Sequence, residues 1–200
     1  RTWVSDPPNV GPMRVTHRDE KVRQPSFSRI YRAISYGTDV DRQAHSLDVA
    51  MEILGGSETS RLYRALVEDQ RIAVSAGASA SSSGLGGGSV SVWATPVEGV
   101  TLEQVEAAAD AVIAQFLREG PTDVELTRAK NSLAANAVYS RDSQESLANI
   151  YGGSLAQGES IDDVVNWPTN IEAVTRDEVV TISQQTLDIN ASVTGWLLPE

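Results

Sequence analysis

The chain is 200 residues long, with 16 Lys/Arg against 27 Asp/Glu for a net charge of −11, and no Cys. That length fits one large domain able to bury a core without a disulfide or metal staple, and the missing thiols exclude disulfide frameworks, thiolate zinc sites, iron–sulfur ligation and Cys nucleophiles. The charge is uneven, net +1 over residues 1–97 and net −12 over residues 98–200; an acidic surface of this size repels phosphate backbones, so nucleic acid is not an expected partner.

Residues 1–13, with Pro7, Pro8, Gly11 and Pro12, read as a linker. The chain divides into a linking segment over 1–20 and a domain over 21–200. It opens on Arg1 with no initiator Met and no leader pattern, so the expectation is a piece of something longer or a chain without its leader. The basic run Arg14, Arg18, Lys21, Arg23, Arg29 and Arg32 has no recognition-motif context and reads as a solvated face. Within it, His17-Arg18-Asp19-Glu20-Lys21 begins like the inverted zinc motif H-x-x-E-H, but Lys21 stands where the second His belongs, and an ammonium there repels a metal. Residues 26–36 carry aromatic and β-branched side chains in partial alternation, with Ile30, Arg32 and Ile34 on one face, and predict a strand.

Asp39 or Asp41 can cap a helix whose stripe is Leu47, Ala50, Met51 and Leu54, and Gly55-Gly56 stops it. His45 lies beside that stripe and reads as a structural helix residue. A short second helix runs over 57–68. Residues 72–97 hold no charged side chain over 26 positions, but seven Ser and five Gly deny them the hydrophobicity of a membrane span. They predict strands 73–82 and 89–95 around a turn, Gly84-Leu85-Gly86-Gly87-Gly88, that needs positive φ. That turn joins two strands instead of opening a helix, which removes the phosphate-loop reading.

Thr101-Leu102-Glu103-Gln104, Thr122-Asp123-Val124-Glu125 and Thr175-Arg176-Asp177-Glu178 are capping boxes, in which hydroxyl and carboxylate or amide satisfy free amides reciprocally. They open helices to Gly120-Pro121, to about Tyr139 and to about Leu187; Ser143 starts another to about Gln157. Trp167-Pro168 reads as a break, and residues 191–198 as a closing strand. The order β-α-α-β-β-α-α-α-α-β, with its hairpin, predicts an α+β fold whose sheet is partly antiparallel. Asp162-Asp163 and Asp177-Glu178 sit at helix starts, where they offset the dipole. With no G-x-S-x-G elbow and only two His, the residues present no catalytic set and no metal site of their own.

The run Ile53-Leu54-Gly55-Gly56-Ser57-Glu58-Thr59-Ser60-Arg61-Leu62-Tyr63-Arg64-Ala65-Leu66 resembles the Gly-Gly…Ser-Arg-Leu segment in the C-terminal, non-catalytic domain of the insulinase/pitrilysin zinc peptidases, the family of mitochondrial processing peptidase. Ile72-Ala73-Val74-Ser75-Ala76 resembles that family's approach to a strand, and Pro121 to Lys130 its T-x-x-E-L-x-R-A-K helix. Leu155-Ala156-Gln157-Gly158 and Val174-Thr175-Arg176-Asp177-Glu178-Val179 match later features, in order, over residues 20–199. The resemblance implies a mixed, largely antiparallel sheet with helices on one face, forming one half of a clamshell. It implies an inactive domain that closes the chamber of a zinc metalloendopeptidase and helps bind peptide or unfolded polypeptide. The zinc belongs to the N-terminal half of the longer polypeptide, and this domain carries no cofactor. Gly55, Gly56 and Ser57 fall where some members carry a Gly-rich substrate loop, although a helix C-cap explains the glycines equally. Active members place an Arg and a Tyr near the second hairpin strand; residues 72–117 contain neither, which implies a partner chain that supplies the pair. The resemblance to exported bacterial members implies the periplasm. The alternative is a structural or interaction subunit of the same family without peptidase activity.

Overall fold

The computed structural model describes residues 11–38 and 42–200, so Pro7, Pro8 and the proposed caps Asp39 and Asp41 lie outside the described residues. Strands β1 (Met13–Arg18), β2 (Ser26–Ala33), β3 (Ala73–Ser81), β4 (Gly88–Pro96) and β5 (Ser192–Leu198) form one sheet in the order β1-β5-β2-β4-β3. Only the β1–β5 pair is parallel among them. The expected α+β fold with a mixed, largely antiparallel sheet is the observed one. Strand β1 falls inside the segment whose composition suggests a linker. It is an edge strand exposed along its whole length, so no in–out alternation marks it, and its partner β5 lies some 180 residues away in the chain.

Strand β2 sets the layering. Phe27, Arg29 and Tyr31 are buried while Ser28, Ile30 and Arg32 face outward, the period-2 signature of a sheet covered on one face. The helices on that side are α1 (Gln43–Gly55), α2 (Arg61–Tyr63, continuing as a π-helical turn over Arg64–Asp69), α3 (Leu102–Glu119), α4 (Asp123–Tyr139), α5 (Gln144–Ala156), α6 (Ile161–Ala173) and α7 (Arg176–Thr186); α1, α2, α3 and α7 meet the strands, while α4 and α6 pack on α1 and α5 on α6. Leu47 and Leu54 of α1, Val90 and Val92 of β4, and Phe116 of α3 are sealed in the core with Phe27 and Tyr31, each contributing roughly 1.5–3 kcal/mol by leaving water.

All three capping boxes form as read, and Ser160 with Asp163 makes a fourth. That fourth box starts α6, which runs through Trp167-Pro168 where a break is expected. Pro168 removes the donor that the Val164 carbonyl would otherwise meet, yet the helix continues because Ile171 is buried and Lys130 Nζ donates to the Glu172 carbonyl at 2.8 Å. Arg29 corrects the reading of a solvated basic face. Only 2% exposed, it donates to Thr194 Oγ1 at 2.9 Å and pairs with Glu106 and Asp110 of α3.

Gly55 is buried, and a Cβ there would stand 1.8 Å from the Ala78 backbone nitrogen of β3. Neither Gly55 nor Gly56 has positive φ. Close approach of α1 to β3, rather than a left-handed cap, is therefore what glycine at position 55 permits. Gly55→Ala should lower the free energy of unfolding by about 3 kcal/mol through overpacking. Gly152→Ala on α5, where a Cβ meets nothing within 4 Å, should raise it by about 0.5–1 kcal/mol. Urea denaturation of both variants checks the pair, and equal shifts would contradict the constraint.

Candidate functional site

At the end of the sheet where β2 leaves the core, the 3-10 turn Tyr36–Thr38 is wedged between two other segments. Ser35 Oγ donates to the Gly84 carbonyl at 2.7 Å, and the Tyr36 amide donates to the Ser82 carbonyl at 2.9 Å. A Cβ on Gly37 would lie 2.9 Å from the carbonyl oxygens of both Gly84 and Gln157, so the turn touches the hairpin on one side and the end of α5 on the other. The hairpin turn takes positive φ at Gly87, 110°, as its glycines lead one to expect.

Tyr36 is the centre of a buried polar cluster. Its hydroxyl donates to Asp48 Oδ2 at 2.5 Å and accepts from Trp167 Nε1 at 2.7 Å. Ser82 Oγ donates to Asp48 Oδ1 at 3.2 Å. His45, one turn before Asp48 on α1, meets the Tyr36 ring edge-on with centroids 4.9 Å apart. Burial pushes the Asp48 carboxyl up from its usual 3.8 to about 6, against the pull of the Tyr36 and Ser82 hydrogen bonds. Burial, followed by the Asp48 charge, drives the Tyr36 phenol upward, so it remains a donor at physiological pH. Beside the cluster lies an open-sided cavity of about 440 Å³ between α4, α5 and α6, with Tyr36, Ser83, Leu133, Ile150 and Trp167 among its walls.

His45 and Asp48 share one turn of α1, a spacing that invites a metal test. Val49, the next position, is fully buried and offers no donor atom, and Asp48 is committed to Tyr36 and Ser82. Among the described residues no three His, Asp or Glu side chains gather to hold an ion, so these residues do not fit zinc. His17 is on exposed strand β1, its Nε2 3.9 Å from Asp19. The geometry is that of a fixed aromatic wall backed by one titratable carboxyl.

Gly55, Gly56 and Ser57 lie at the far end of α1, about 10 Å along the helix from Asp48 at 1.5 Å per residue. Gly55 is buried, whereas Gly56 and Ser57 are exposed, with Ser57 Oγ 3.1 Å from Thr59 Oγ1. A smaller cavity of about 140 Å³ adjoins Ser57, Ser60, Glu125 and Arg128. The fold thus places the loop apart from the Tyr36 cluster. Sequence reading missed Asp48, Tyr36 and Trp167. The available signal was an acid four residues from Glu52 on an otherwise apolar helix, three after His45.

A sequence model of the family described as the peptidase M16 inactive domain matches residues 2–133. No curated protein matches the chain. Among solved structures, a protease from Helicobacter pylori is similar at a TM-score of 0.89 and 16% identity, over 98% of this chain and 46% of its own. The inactive peptidase domain of a candidate zinc protease from Bordetella parapertussis gives 0.77 and 17%, over 86% of this chain and 91% of that one. The periplasmic protease PqqL from Escherichia coli gives 0.69 and 22%, over 96% and 21%. This chain therefore spans about half the Helicobacter protein and nearly all of the Bordetella domain; at these identities the likeness is one of fold.

Because the folded state holds the Asp48 proton up to about pH 6 and the unfolded chain releases it near 3.8, the stability Asp48 supplies is full below pH 3.8 and is lost as pH rises through 6. Relative to Asp48→Asn, the wild type should lose about 3 kcal/mol between pH 3.5 and pH 7. Urea midpoints of the two proteins across that range check it, and parallel profiles would contradict the buried carboxyl.

Proposed function

The chain belongs to the peptidase M16 inactive-domain family, and from that membership we propose that it is the non-catalytic C-terminal domain of a zinc-dependent metalloendopeptidase, closing the chamber and helping to bind peptide. The family match over residues 2–133 is the observation that carries the reading. Zinc and its ligands belong, in this reading, to the N-terminal half of the longer polypeptide. This chain contributes shape and contact, not catalysis.

The sheet's open face supports a docking partner of that kind. Met13, Val193, Ile30, Ser91 and Ser79 align across the five strands in one register row, and Val15, Gly195, Ser28, Trp93 and Gly77 in the next. Met13, Val15 and Ile30 are each about half exposed, and Trp93 lies over Gly77, where a Cβ would meet the indole at 2.5 Å. The apolar part of that face, carried by β1, β5, β2 and Trp93, is a surface for the N-terminal half. The edge strand β3 runs toward Ser83 on the cavity wall, and an extended peptide can add alongside such an edge through main-chain hydrogen bonds. Gly56 and Ser57 contact the same peptide further along. A partner chain supplies the Arg/Tyr pair missing from residues 72–117.

Among the described residues no helix is long and apolar enough to cross a membrane. The likeness to periplasmic PqqL supports the periplasm as the compartment. The docking role is tested with the two halves of the longer polypeptide produced separately. Val15→Asp and Ile30→Asp should weaken their association tenfold or more, since each buries an unpaired charge, while the urea midpoint of this domain stays unchanged. Undiminished association, measured by calorimetry, would remove the open face from the reading.

A further inference from the structure

Helices α4, α5 and α6 turn apolar residues toward one another without filling the space between them. Leu133, Leu147, Ile150 and Val164 line the cavity and are only half-buried. Among the described side chains α5 has no fully buried residue and α6 has one, Ile171. Protein interiors rarely leave voids larger than a water molecule, and about 440 Å³ is room for on the order of ten waters.

The sequence keeps that room open. Gly153 lines the cavity from the last turn of α5, where glycine is a poorer helix former than alanine by up to about 1 kcal/mol. Glycines 55 and 77 elsewhere permit close backbone approach, with a Cβ meeting main chain or the Trp93 ring at under 3 Å. A Cβ on Gly153 would find nothing nearer than Gln157 Nε2 at 3.9 Å. No packing within the domain requires this glycine; what its missing side chain preserves is the width of the cavity.

The walls state the chemistry of the occupant. Trp167 and Tyr36 are fixed by their hydrogen bonds and present aromatic surface. The charged lining residues are one of each sign, Arg141 exposed and Glu159 half-buried, so no ionic occupant is favoured. We propose that this cavity binds an uncharged aromatic or branched apolar side chain of a peptide. The proposal rests on the reading of the domain as a peptide-binding one, and it names the side-chain class that is held.

Small amides test it apart from any proteolysis. The Trp167 indole N–H of the ¹⁵N-labelled chain, assigned through Trp167→Phe, is followed by NMR during titration with N-acetyl-tryptophanamide, N-acetyl-leucinamide, N-acetyl-lysinamide and N-acetyl-aspartamide. The first two should give saturable shifts at least fivefold tighter than the charged pair. Gly153→Leu should fill the cavity and weaken binding tenfold or more. Gly152→Leu, whose side chain enters open space, should bind as the wild type. Unchanged Trp93 and Trp196 indole signals certify the fold of each variant, with Ser154→Leu, on the same wall, serving if Gly153→Leu does not fold. Absence of a saturable shift, equal binding of charged amides, or full binding by Gly153→Leu would overturn the proposal. Amide binding that persists in a longer polypeptide without peptidase activity would instead leave the cavity assignment standing and refute the peptidase reading alone.

Discussion

Helix α1 lies against β3 with no side chain between them at Gly55, and the geometry of the site follows from that approach. A Cβ at position 55 would overlap the Ala78 backbone, so any other residue must lift the helix from the sheet. The same helix carries His45 and Asp48 inward two turns earlier, between the Tyr36 turn and Ser82 at the end of β3. The seating of one backbone on another therefore decides whether a carboxyl, a phenol and an indole can share hydrogen bonds. The cavity beyond Tyr36 inherits its aromatic wall from that alignment.

The lopsided charge of the sequence has a structural counterpart. Cations of the first half pair with carboxylates of the second: Arg14 and Arg29 with Glu106, Arg29 with Asp110, Arg61 with Glu125. Burial pushes the Glu125 carboxyl up, but the two hydrogen bonds from Arg61 and those of the Thr122 capping box pull it further down, to about 2. Glu106 also accepts from Trp196 at 2.9 Å, which ties β5 and β1 to α3 through one carboxylate. In the acidic half, Arg128, Lys130 and Arg176 donate to backbone carbonyls instead. Removing Arg29 would strip the buried Glu106 of one of its two cations and leave the part-exposed Asp110 without its Arg partner, a loss larger than that of a fully exposed pair.

Legibility divided along the range of the interactions involved. Capping boxes and the glycine hairpin are decided within a few residues, and both are present where the sequence puts them. Strand β1 depends on a partner at the opposite end of the chain, and α6 survives its proline through contacts with α4 and the core. Arg29 looks like surface in a basic run because the carboxylates that bury it are about 80 residues away. The Tyr36–Asp48–Ser82–Trp167 cluster spans 131 residues between its phenol and its indole, so no local pattern announces it. Element order and the hairpin supplied the α+β fold class and resemblance the family, yet the residues the resemblance singled out, Gly55 to Ser57, lie apart from that cluster.

Taken with its family membership, the domain presents a bare sheet face and an open-sided apolar cavity, with no metal cluster among the described residues; the proposed reading gives the zinc chemistry to the other half. The direct test of this division of labour is zinc-dependent cleavage of an unstructured peptide, measured for the 200-residue chain alone and for the longer polypeptide carrying it. The account predicts no cleavage by the chain alone and chelator-sensitive cleavage by the longer polypeptide together with its partner. Zinc-dependent cleavage by the isolated chain would contradict it.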